Sequence, residues 1–261
     1  MRPATRLPAP CPPLSAVRLA AMPGRGHDGG VYRETPPPEQ LSEVVSCLWC
    51  SDHDGPKRIV PDGCLDLIIG DGTVFVAGPD TRVWESDSSS TLRGIRFRPG
   101  RAPRVLGIAA DELRDQRVEL SDLWGRQGVL TTERLLAKPQ ALAGFVAENL
   151  RETTDPEVAE LVRRLETGVP RVSAAIGGIA VGERQLRRRF TQAVGYGPAT
   201  FLRVARLQRA IARSGSTTLA SLAADAGYAD QAHLSRDCRE LTGVTAGEFF
   251  TRPVAAPRGS A

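Results

Sequence analysis

Residues 217–250 read TTLASLAADAGYADQAHLSRDCRELTGVTAGEFF. Leu219, Leu222, Ala223 and Ala226 recur at helical spacing until Gly227-Tyr228 interrupts them. Leu234, Cys238 and Leu241 then repeat at i, i+4 and i+7. Asp230 stands at the N-cap position of this second segment, where its carboxylate can accept the first unpaired amides. A short helix, a glycine turn and a second short helix form a helix-turn-helix pattern. The second helix turns Ala232, His233, Ser235, Arg236 and Arg239 away from its apolar stripe. Such a face of small, polar and cationic residues suits a major groove.

The run Gly227-Tyr228-Ala229-Asp230-Gln231-Ala232-His233-Leu234-Ser235-Arg236, followed by Leu241-Thr242-Gly243-Val244-Thr245, resembles the second helix-turn-helix of AraC/XylS-type transcription regulators. Cys238 stands where the family usually has phenylalanine, and Ala246 where it usually has proline. The first change is expected to loosen packing under the helix, the second to remove a rigid helix start. The resemblance implies double-stranded DNA as the partner. It brings RNA polymerase, a small-molecule effector and a second copy of the chain as further candidate partners, and a cytoplasmic location.

The composition agrees with a polyanion binder. The net charge of +4 is uneven, because residues 171–261 hold 13 Arg against 6 Asp and Glu. That basic excess lies on the segment with the helix-turn-helix pattern. A solvated arginine-rich surface would give the same balance, and only Lys57 and Lys138 break the preference for arginine. No stretch approaches the length of an apolar membrane span. Five cysteines, an odd number, with no apolar signal core at the N-terminus, fit reduced thiols. Nothing in the sequence calls for a metal or cofactor, and no paired acid and base point to an enzyme.

The chain divides into a β-rich N-terminal domain, of barrel or sandwich type, and an all-α C-terminal domain with two helix-turn-helix units. Residues 1–30, rich in Pro, Gly, Ala and Arg, are expected to be disordered, and Met22 offers an alternative start. Within 31–125, short strands are expected at 44–49, 57–60, 65–69, 73–77 and 91–97, punctuated by turns such as Asp54-Gly55, Pro61-Asp62-Gly63 and Gly70-Asp71-Gly72. The segments at 61–68, 78–79 and 94–100, with Leu120-Ser121-Asp122-Leu123-Trp124-Gly125, resemble an uncharacterised domain found ahead of AraC-type modules. That resemblance implies effector sensing or dimerisation.

Residues 126–154 read as a helical connection. Leu135, Leu136, Leu142, Phe145, Val146 and Leu150 form an imperfect stripe divided by Pro139. Asp155-Pro156 opens the DNA-binding domain, taken as 155–253, with 254–261 as a tail. The first helix-turn-helix falls at 171–190. Its leading helix, expected across Ala174-Ala175-Ile176-Gly177-Gly178-Ile179, carries two glycines, each costing about 1 kcal/mol against alanine. A helix from Pro198 to about Arg213 links the two modules and spans about 24 Å. Major grooves on one face of DNA repeat about every 34 Å, so one chain can address both.

Base readout needs planar or forked donors on an exposed helix face. The candidates are Arg184, Arg187 and Arg188 in the first recognition helix, and Ala232, His233, Ser235 and Arg236 in the second. His233 has an equal claim to an internal hydrogen bond, and Gln231 and Arg239 to phosphate contact or solvent. In the N-terminal domain Asp62, Arg96 and Arg98 are candidates for a ligand pocket, although turn geometry alone accounts for an Asp-Gly pair. Cys47-Leu48-Trp49-Cys50 spaces its thiols on opposite faces of a strand, and Cys64 beside Asp62 lacks a paired base; both are read as packing.

Overall fold

The structure, a computed structural model, describes residues 31–52, 57–86, 91–215 and 218–251. The first 30 residues, the Asp54-Gly55 turn and the tail 254–261 lie outside these.

The N-terminal half is built on strands β1 (Val31–Thr35), β2 (Val45–Asp52), β3 (Lys57–Ile59), β4 (Asp66–Gly70), β5 (Thr73–Ala77), β6 (Trp84–Ser86), β7 (Thr91–Phe97) and β8 (Arg117–Glu119). Six form an antiparallel sheet in the order β1-β2-β7-β4-β5-β8, while β3 and β6 pair as a separate ribbon. The five strands legible in the sequence are present. Strands β1, β6 and β8 were not expected, and two of them have only three residues.

Side chains alternate across the sheet. Leu67, Ile69, Val74, Val76, Ile95 and Phe97 enter a core shared with helices. Trp49, Ile68, Leu92, Phe75 and Ala77 face the other way. A bulge between Val45 and Cys47 switches faces, so Val45 joins the first set and Cys47 the second.

Helices α1 (Pro103–Leu106), α2 (Leu120–Trp124), α3 (Arg126–Ala137) and α4 (Leu142–Asn149) cover the first face. Leu135, Leu142, Phe145 and Val146 bury themselves in that core, so the segment read as a connection packs on the sheet. Pro139 begins a short 3-10 turn between α3 and α4. Leu136 departs from the expected stripe and is exposed.

The C-terminal half comprises α5 (Pro156–Glu166), α6 (Val172–Ile176), α7 (Glu183–Val194), α8 (Pro198–Arg213), α9 (Leu219–Ala226), α10 (Gln231–Thr242) and α11 (Ala246–Thr251). Asp155, Thr218 and Asp230 cap α5, α9 and α10, each accepting a backbone amide. Two expectations are corrected. Gly177 and Gly178 lie beyond the end of α6, with Gly178 at φ 77°, so they make the turn and leave a five-residue helix. The missing proline at 246 is offset by a capping box: Thr245 Oγ1 accepts the Glu248 amide at 3.2 Å, and Glu248 accepts the Thr245 amide at 3.0 Å.

Helix α8 carries three arginines that tie the other helices to it. Arg209, 5% exposed, donates to Leu165 O and Glu166 O at the end of α5 and to Ala226 O at the end of α9. Arg206 donates to Pro170 O at 2.7 Å, and Arg203 pairs with Asp237 and Glu240 of α10. The two halves meet across the loop after β3. Gln208 donates to Pro61 O at 2.6 Å, and Arg58 donates to Thr242 O, at the end of α10, at 2.6 Å. Gly195 takes φ 101°, and a Cβ there would lie 2.2 Å from Pro79.

Replacing Arg209 with methionine leaves carbonyls of two helix ends without their donor and should cost about 2–4 kcal/mol in urea unfolding; a loss below about 1 kcal/mol would show that water caps those ends as well. Without DNA, amides of α6 and α7 should exchange faster than those of α9 and α10, because neither α6 nor α7 has a side-chain cap. Equal protection in hydrogen exchange would contradict this.

Candidate functional site

The exposed face of α7 is set by its buried one. Leu186, Phe190 and Val194 point inward, and Phe190 meets Phe201 of α8 edge-on at 5.6 Å. This phase leaves Arg184 and Arg188 exposed one turn apart. Arg187 is engaged by Glu183, one turn back on the same helix, at 2.7 Å. Arg189, not singled out by the sequence, turns inward to Asp155 and Glu157 and pins the start of α5.

On α10, Leu234, Cys238 and Leu241 are buried, and Ala232 and Arg236 are exposed with Gln231 and Arg239. Ser235 and His233 are half-buried. The His233 ring packs edge-on against Tyr228 at 5.1 Å, with Nε2 3.8 Å from Asp237 Oδ2, while its backbone amide donates to Asp230. Its ring thus has internal neighbours. Asp237 was missed: it is buried and accepts from Arg203 Nε at 2.9 Å. Among the described residues Arg184, Arg188, Arg236 and Arg239 make no ion pair, and these four cations of α7 and α10 are exposed.

A second feature lies between the cavity-facing side of the large sheet and the β3–β6 ribbon. It is a cavity of about 320 Å³ with Trp49, Ile68, Phe75 and Leu92 on the sheet side and Lys57, Ile59 and Trp84 on the ribbon side. That volume falls at the low end of small-molecule sites, about 300–1,000 Å³. Two ion pairs stand in its wall. Arg96, 3% exposed, binds Asp66 through two hydrogen bonds of 3.0 and 3.1 Å and lies 3.4 Å from Asp62. Burial pulls Arg96 toward neutrality, but Asp66 and Asp62 outweigh it and hold its pKa well above the ordinary arginine value. Arg117 binds both oxygens of Asp80 and lies over the Trp84 ring at 4.3 Å.

Of the three ligand candidates, Asp62 and Arg96 come together in this wall. Arg98 does not join them there; its Nε donates to Ser42 O at 2.7 Å. It lines a separate cleft of about 550 Å³ between the halves, with Arg101, Glu160 and Glu166, and shares Asp62 and Arg96 with the first cavity. Burial pushes the Glu166 carboxyl up to about 7, against the pull of Arg98 and Arg209. Burial holds the Cys64 thiol well above its ordinary value, which suits packing and not nucleophilic work. Cys47 lies on the cavity side of β2 with Trp49 and is pushed up to about 12 by burial. Among the described residues no group of His, Cys, Asp and Glu is placed to hold a metal ion, and no helix is long and apolar enough to cross a membrane.

Comparison with known proteins finds two matching families on the chain. Residues 178–252 match the family described as a helix-turn-helix domain. Residues 33–119 match a domain of unknown function (DUF6597). No curated protein matches. Among solved structures, ToxT from Vibrio cholerae O395 is similar at 10% identity, over 80% of this chain and 97% of that one, with a TM-score of 0.43. ToxT from the same strain bound to (E)-4-(8-methylnaphthalen-1-yl)but-3-enoic acid is similar at 11% identity, over 85% and 97%, with a TM-score of 0.41. The chain therefore carries a helix-turn-helix domain of AraC/XylS type behind an N-terminal domain of unknown function.

Proposed function

We propose that the protein is a sequence-specific DNA-binding transcription regulator, working in the cytoplasm, whose two helix-turn-helix units address adjacent major grooves. The observation that carries this is the pair of recognition helices hung on one 16-residue rod, α8, each presenting unpaired arginines. Arg184 and Arg188 read bases or phosphates from α7, with Arg187 joining once it leaves Glu183. Ala232, Ser235 and Arg236 do so from α10, with His233 at the margin. The basic excess of this half supplies the attraction common to all DNA sequences.

The N-terminal half sets DNA binding through a small-molecule effector held in the cavity under the β3–β6 ribbon. The support is the double use of β3. Lys57 and Ile59 line the cavity, while Arg58 between them points to the end of α10. A ligand that binds one arrangement of this strand better than another biases the contact to α10 by at most that difference in binding free energy.

Arg236→Ala should weaken binding to the cognate site by about 1–3 kcal/mol and relax preference at one base pair; selection of DNA fragments by the purified variant checks this, and a uniform loss across sequences would reassign Arg236 to phosphate. Enrichment by the wild-type protein with no shared motif would point to a nonspecific binder. Arg58→Ala should bring the DNA affinity of the full chain toward that of residues 155–261 alone. If the fragment differs from the full chain while the Arg58 variant does not, Arg58 has no part in control.

A further inference from the structure

Among the described residues, two buried polar atoms in the cavity wall have no hydrogen-bond partner: Lys57 Nζ and Trp49 Nε1. Lys57 is 3% exposed and Trp49 is 7% exposed. Both atoms are donors only. The buried carboxylates around them are already engaged. Asp66 accepts twice from Arg96, and Asp80 twice from Arg117. Asp62 accepts from the Cys64 amide and faces Arg96. The remaining carboxylates in the lining, Asp71 and Glu119, are exposed to solvent. Among the described residues these two donors therefore have no carboxylate of their own.

Enclosing an ammonium without a partner is among the costliest arrangements a fold can hold. Burial pulls the Lys57 pKa down, with Asp71 and Asp52 opposing it. The residue is also an exception in its own chain, which has two lysines among 34 basic residues. A lysine offers a compact charge, whereas an arginine fork asks for a planar partner. One ammonium and one indole N–H are too few donors for a phosphate dianion, which takes several charge-assisted bonds. They suit a single carboxylate. The rest of the lining, Ile68, Phe75, Leu92 and Trp84, is apolar.

We infer that the cavity binds a small organic monocarboxylate with an apolar body, its carboxylate paired with Lys57 Nζ and its body laid against the aromatic and aliphatic wall. Trp49 Nε1 offers a second donor to the same molecule. This inference rests on the reading of the cavity as the effector site and names the chemistry of what enters it.

The test uses the full-length protein and sets of three compounds on one carbon skeleton: 3-phenylpropionic acid, 3-phenylpropionamide and 3-phenylpropylamine, with matching butyl and naphthylethyl sets. Thermal unfolding is followed with each compound. At least one acid should raise Tm by several degrees where its amide and amine do not, and Lys57→Met should abolish that rise. Without any compound, Lys57→Met should unfold at a higher temperature than wild type, because it removes an unpaired buried charge. Lys57→Gln serves as a second variant should the first misfold. If an amide or amine outranks its acid, the cavity remains an effector site and the carboxylate assignment is wrong. If no compound shifts Tm, the assignment and the effector reading both fall. A Tm below wild type in both Lys57 variants would make Lys57 structural and overturn the proposal.

Discussion

Everything in the C-terminal half depends on how helix ends are satisfied. A helix leaves its last carbonyls without donors, and a buried end must find them elsewhere. Arg209 meets this need for α5 and α9 together, from a position on α8 that would otherwise belong to the apolar core. Arg206 donates to the Pro170 carbonyl in the loop ahead of α6, and Arg203 pairs with carboxylates on α10. The rod therefore does more than separate the two helix-turn-helix units. It fixes each by directional bonds, which specify position in a way apolar contact alone does not.

The N-terminal half solves a different problem with the same residue type. Its sheet is covered by helices on one face only, and the other face is closed by a two-stranded ribbon too small to fill the space. Charges enter that space as pairs: Arg96 with Asp66 in register on neighbouring strands, and Arg117 with Asp80. Pairing makes their burial tolerable and stiffens the wall. Among the described residues Lys57 Nζ has no such partner.

The second helix-turn-helix was legible because three local signals agree: the apolar phase, Gly227 in the left-handed region at φ 85°, and the Asp230 cap. The faces of both recognition helices follow from that phase. Two of the three strands that went unseen, β6 and β8, are three residues long and exist through partners far along the chain. The Asp66–Arg96 pair needs the strand register, across 30 residues of sequence, to be recognised. Lys57 looks like any polar residue at the start of a strand until the ribbon closes over it. Arg209 looks like a solvated charge on an amphipathic helix, and only the arrival of two helix ends explains its burial. Gly177 and Gly178 misled because glycine gives the same composition signal inside a helix and just past its end.

Strand β3 is three residues long, and its middle residue faces the opposite way from its neighbours. Lys57 and Arg58 thus share one peptide bond while serving two surfaces. Insertion or deletion of a single residue within the strand would exchange their directions, turning the lysine to the recognition helix and the arginine to the cavity. On the proposed reading of the cavity as an effector site, what is sensed and how it is passed on would therefore be tied together among descendants of this chain. New ligand preferences would then arise freely along the sheet side of the cavity, at Ile68, Phe75 or Leu92, but along β3 only in step with the contact to α10.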